Sequence, residues 1–110
     1  MTVKNIADKL GLRVFSGDEF LEREVCGCYI GDLLSLAMSS VQKDNIWITI
    51  QTNVNIAAVA SLTEAACVLL ADGCEPDDNA QERAKTQEIV ILGSGMSAYE
   101  LAKSLAELGI

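Results

Sequence analysis

Three short apolar runs, Ile46–Ile50, Ala66–Ala71 and Ile89–Leu92, most strongly constrain how this chain folds. They are aliphatic or β-branched, and polar residues close them off, which is the pattern of buried strands. The segments between them are long enough for a helix and far too long for a hairpin turn. Such spacing demands crossover connections, which are right-handed and give parallel strands with helices packed over both faces. The expected fold class is α/β, a three-layer α/β/α arrangement around a mainly parallel sheet.

The punctuation of the remaining chain agrees with this. Thr2 is placed to cap a first helix carrying Val3, Ile6 and Leu10 on one face, and Gly11 tolerates the left-handed residue that ends it. Leu12–Ser16 and Val25–Ile30 read as further extended pieces separated by the Gly17-Asp18 turn. Asp32 offers an N-cap for a helix over Leu33–Ser40, and Asn53 or Asn55 for one over 55–64. The segment 77–87 is helical in pattern but almost wholly polar, so it is expected at the surface. Ser97 and Glu100 have capping-box spacing and open a final helix with Tyr99, Leu101, Ala102, Leu105 and Leu108.

A chain of 110 residues holds one hydrophobic core, so residues 1–110 read as a single domain. A net charge of −8 repels phosphate backbones and anionic lipid surfaces, which argues against nucleic-acid binding. The longest apolar stretches are too short to span a bilayer. Asp8 and Lys9 stand where a secretory signal would need its apolar core, so the expected location is the cytoplasm, with the four cysteines reduced.

The run Glu22-Arg23-Glu24-Val25-Cys26-Gly27-Cys28-Tyr29-Ile30-Gly31-Asp32-Leu33-Leu34 resembles the signature region of DRTGG domains. Val3–Leu12, Trp47–Thr52 and Met96–Ala102 fit in the same order, so the resemblance covers nearly the whole chain. Two positions depart from the pattern: Cys28 stands where a second glycine is usual, and Glu22 replaces the usual Asp. The resemblance implies a three-layer α/β fold and a regulatory role. Such domains accompany CBS modules in some pyrophosphatases and occur in phosphotransacetylase-type proteins. The N-terminal domain of HPr kinase/phosphorylase is similar, and stand-alone members are often encoded near iron hydrogenase genes. No catalytic chemistry follows from it, since the chain has no Walker sequence G-x-x-x-x-G-K-S/T.

Candidate ligand contacts fall in three places. Gly93-Ser94-Gly95, followed by Ser97, lies between a strand and a helix, where backbone N–H groups and the helix dipole favour an anion, although a turn with a capping box accounts for it equally. Gln51, Thr52, Asn53 and Asn55 follow a strand's C-terminal end, the edge where open parallel sheets bind ligands, or else they cap the next helix. Arg23, in the DRTGG-like segment, either holds an anion or forms a structural ion pair.

Cys26, Cys28, Cys67 and Cys74 raise the alternative of a small metal or iron–sulfur redox protein. Their C-x-C spacing and the absence of histidine argue against it, so no metal and no cofactor are expected. With no histidine and no nucleophile beside an obvious base, catalysis is not expected either. The reading is a non-catalytic regulatory or ligand-sensing domain whose partner is a small anionic ligand, nucleotide or phosphometabolite, or another protein. A homodimer is expected because Val14, Phe15, Phe20, Leu21 and Tyr29 exceed what one short helix covers.

Overall fold

The three apolar runs lie side by side. In the computed structural model, which describes residues 1–110, they form strands β3 (Ile46–Thr49), β4 (Cys67–Leu70) and β5 (Ile91–Gly93), mutually parallel. Strand β2 (Cys28–Ile30) extends the sheet in parallel beyond β3. Strand β1 (Arg13–Ser16) closes the other edge antiparallel to β5, with a register irregularity between Val14 and Ser16. The order is therefore β1-β5-β4-β3-β2.

Chain direction explains the layers. From β2 to β5 the chain steps steadily in one direction across the sheet, so right-handed crossovers put every connecting helix on the same face. These are α2 (Leu34–Ser40), α3 (Asn55–Thr63) and α4 (Asp78–Thr86). Their buried residues, including Ala37, Ile56, Ala60, Ala80 and Ala84, pack on Trp47, Val68, Leu70 and Ile91. The opposite face falls to the two terminal helices, α1 (Val3–Leu10) and α5 (Ala98–Glu107), whose Val3, Ile6, Leu101 and Leu105 cover Ile46, Ile48, Cys67, Leu69 and Leu92. Alternate strand residues serve alternate faces, and all four positions of β3 and of β4 are buried.

Local signals set the helix ends. Thr2 and Asn5 form a capping box on α1, and Gly11 ends that helix at φ +63°. The polar α4 is not free of the core: Ala80 and Ala84, four residues apart, are fully buried, so the helix sits close to the sheet on small side chains. Two expectations need correction. Asp32 does not cap α2, whose cap position is Leu33 with no side-chain hydrogen bond; the Asp32 carboxylate turns to β3 instead. The large apolar residues of the N-terminal half are not left over either. Val14, Phe20 and Leu21 pack on the α1–α5 core, and Phe15 and Tyr29 on the other. Other apolar residues are exposed, among them Ile30 on β2, Leu33 and Leu36 at the start of α2, and Ile50 after β3.

Candidate functional site

The four parallel strands end at one rim, and the loops leaving them carry most of the polar residues singled out above. Backbone hydrogen bonds tie neighbouring loops together. Asp77 N donates to Thr52 O at 2.9 Å, Gly73 N to Ser94 O at 2.9 Å and Asp72 N to Met96 O at 2.8 Å. The rim is thus a continuous line from Asp32, after β2, to Gly95, after β5.

At the β2–β3 end of this line the polar groups satisfy one another. Asp32 Oδ1 accepts from Thr49 Oγ1 and from Ile50 N, both at 2.9 Å. Gln51 Nε2 donates to Asp32 O, Asn53 Nδ2 donates to Gln51 Oε1, and Asn53 Oδ1 accepts Asn55 N, each at 2.9 Å. Gln51 and Asn53 are therefore fastened into the turn that starts α3. Beside it Thr52 is half-buried and Asn55 is exposed.

The β5 end is open. A crevice of about 270 Å³ is walled by Gly93, Ser94 and Gly95 after β5, and by Gly73, Cys74 and Glu75 after β4. Gly11, Arg13 and Phe15 complete it from β1 and the turn before that strand. The antiparallel register sets Arg13 opposite Gly93. The Phe15 ring lies so close over Gly93 that a Cβ there would collide with Phe15 Cε2, so any other residue at this position has to displace the ring. The Arg13 guanidinium carbon is 4.5 Å from the Phe15 ring centroid, within cation–π range. Its Nη1 also donates to Glu75 Oε2 at 3.3 Å. The Gly95 N–H makes no hydrogen bond within the chain.

The two serines of this loop serve the turn. Ser94 Oγ accepts Met96 N at 3.0 Å. Ser97 and Glu100 exchange their side-chain and backbone bonds at 3.2 and 3.1 Å, so Ser97 caps α5 and is not a wall of the crevice.

Arg23 lies at the other rim. Its Nε donates to Asp44 Oδ1 at 2.9 Å, and its Nη2 donates to Glu64 O. These residues precede β3 and β4, so Arg23 ties the N-terminal ends of the strands and does not join Gly93–Gly95 or Gln51–Asn55. A second cavity there, about 310 Å³, is lined by Phe20, Glu22, Arg23 and Glu88 among others, with its guanidinium already held by the chain.

The cysteines do not converge. Cys26 and Cys28 are exposed at the β2 end, Cys67 is buried in β4, and Cys74 is half-buried at the opposite rim. No three histidine, cysteine or carboxylate side chains lie close enough to hold a metal ion. Desolvation pushes the Cys28 thiol up to about 11 and Cys67 to about 12, the latter also raised by Cys28 and lowered by Arg23. Thiolates ligate metals and react, so raised values disfavour both roles at these two positions.

No protein-family model and no curated protein matches the sequence. Among solved structures, the CBS and DRTGG domains of the regulatory region of Clostridium perfringens pyrophosphatase, complexed with the activator diadenosine tetraphosphate, match with a TM-score of 0.70. The likeness is one of fold. Sequence identity is 15%, and the match covers 93% of this chain but 44% of that one, so this chain spans less than half the length of its neighbour. A DRTGG-like α/β fold is thus shared, and the neighbour belongs to a regulatory region. Sequence reasoning had reached Gly93, Ser94 and Gly95. It missed Arg13 and Phe15, which the pairing of β1 with β5 brings to them, and the loop of Gly73 and Glu75, which the pairing of β4 with β5 places beside them. No helix is long and apolar enough to cross a membrane.

Proposed function

We propose that this chain is a non-catalytic regulatory domain of the DRTGG family that senses a small anionic ligand, a nucleotide or phosphorylated metabolite, in the crevice at the end of β5. The observation that carries the reading is the make-up of that crevice. A guanidinium steadied on an aromatic ring and a glycine whose N–H is unengaged both border one space of about 270 Å³. The chain has no histidine, and the Ser94 oxygen accepts a backbone N–H, so these groups suit holding an anion better than moving protons. The fold-related regulatory region was crystallised with a nucleotide activator, which supports sensing as the class of function. Four free thiols suit the reducing cytoplasm.

The domain works as a homodimer in this reading. Support comes from Ile30, Leu33, Leu36 and Ile50, which leave apolar surface at the unpaired β2 edge.

The ligand reading is tested by thermal denaturation of the whole chain against a panel of nucleotides and phosphorylated metabolites. A true ligand at a hundred times its Kd adds about 2.7 kcal/mol of stability, a rise of roughly ten degrees for a domain of this size. Arg13→Gln is expected to abolish the rise. A panel that leaves the midpoint unmoved, or a rise that persists in Arg13→Gln, would count against the crevice.

A further inference from the structure

We propose that Glu75 is a built-in competitor for the crevice: its carboxylate occupies the place at Arg13 that an oxyanion of the ligand takes, and its displacement is the first event of sensing. This rests on reading the crevice as an anion site.

The geometry around Arg13 separates the part that is fixed from the part that exchanges. The guanidinium is steadied from behind, because Phe15 lies against it and Gly93 leaves room for Phe15 to lie flat on the sheet edge. That stack does not involve Glu75. The carboxylate reaches the same group through a single bond at 3.3 Å, and the two side chains are 66% and 61% exposed. An exposed, one-point ion pair of this kind is weak and easily screened. A guanidinium can instead present two parallel N–H groups to one oxyanion, and that bidentate arrangement is both stronger and more selective. An incoming oxyanion that takes the fork and also meets the Gly95 N–H therefore outcompetes a carboxylate held at one point.

The position of Glu75 gives the exchange a consequence. It stands between Cys74 and Pro76, in the loop that joins β4 to α4, whereas Arg13 belongs to β1. The pair is a side-chain tie between the antiparallel edge and that loop. Replacing the carboxylate with a ligand releases the loop from β1 while Gly73 stays bonded to Ser94.

The test is calorimetric titration of the whole chain with pyrophosphate and, separately, malonate as probes, in the native sequence, Glu75→Gln and Arg13→Gln. Glu75→Gln should bind at least one probe about two- to five-fold more tightly than the native chain, the range expected for removing a weak exposed ion pair. Arg13→Gln should lose binding, and the Gly95 amide resonance should move on titration in the first two proteins. A response to pyrophosphate assigns the place to phosphoryl groups, one to malonate assigns it to carboxylates, and either supports the exchange. Binding of equal or lower affinity in Glu75→Gln overturns the competitor while leaving the crevice a ligand site. Absence of binding to any of the three proteins overturns both.

Discussion

Cys67 opens β4 and is wrapped by helices on the α1–α5 side and by strands on either flank, so its thiol has no water to stabilise a negative charge. Burial pushes it up to about 12, well above the usual thiol range near 8.5. The stability consequence has a definite sign. Below about pH 8 folded and unfolded chains both keep the proton, and the group contributes no pH dependence. Between about pH 9 and 12 the unfolded chain loses it while the folded chain retains it, so stability falls as pH rises, by up to about 1.4 kcal/mol per pH unit from this one group. Urea denaturation from pH 8 to 11 should show a steeper decline in the native sequence than in Cys67→Ala; parallel slopes would refute the assignment. The position itself was legible, since an apolar run must be buried. Asp32 was not. A carboxylate before an apolar helical stretch looks like a cap, but whether it turns along its own chain or across to Thr49 depends on a neighbouring strand that no local pattern reveals.

Elements differ in the same way. The parallel centre β3-β4-β5, the Thr2 cap and the Ser97–Glu100 capping box could be read because their causes are local: continuous apolar runs buried on two covered faces, and side chains that bond three residues away. The placement of β1 could not, since a short edge strand carries no mark of which partner it joins or in which direction. That one unreadable pairing is why Gly93–Gly95 was found and Arg13 and Phe15 were missed. It also yields a prediction about the β1–β5 edge. Gly93→Ala forces its new methyl against the Phe15 ring and should cost about 1–3 kcal/mol, as overpacking does. In a Phe15→Leu background the same change should cost less, because the obstructing ring is gone. Chemical denaturation of the four proteins gives the coupling directly, and additive effects would show that the ring and the glycine are not packed as described.

For the molecule as a whole, the proposed homodimer raises the question of which surface would meet the second copy. A net charge of −8 makes two copies repel, so association must bury apolar surface. The sheet offers two edges, and β2 is the one bordered by uncovered aliphatic residues: Leu33 is 65% exposed, Leu36 51%, Ile50 48% and Ile30 46%. A two-fold axis beside β2 would let this patch cover itself, since a symmetric dimer places the same surface on both sides. These residues lie near the Asp32 turn, the far end of the loop line that begins at Gly95, so the proposed ligand and the proposed partner would touch one hydrogen-bonded rim. Light scattering at high micromolar concentration should therefore return twice the 11.8 kDa chain mass. Leu33→Glu should return the single mass without loss of thermal stability at low concentration, because that side chain is mostly outside the core. A native monomer, or a dimer indifferent to Leu33→Glu, would move association away from β2 and cut the link between rim and partner.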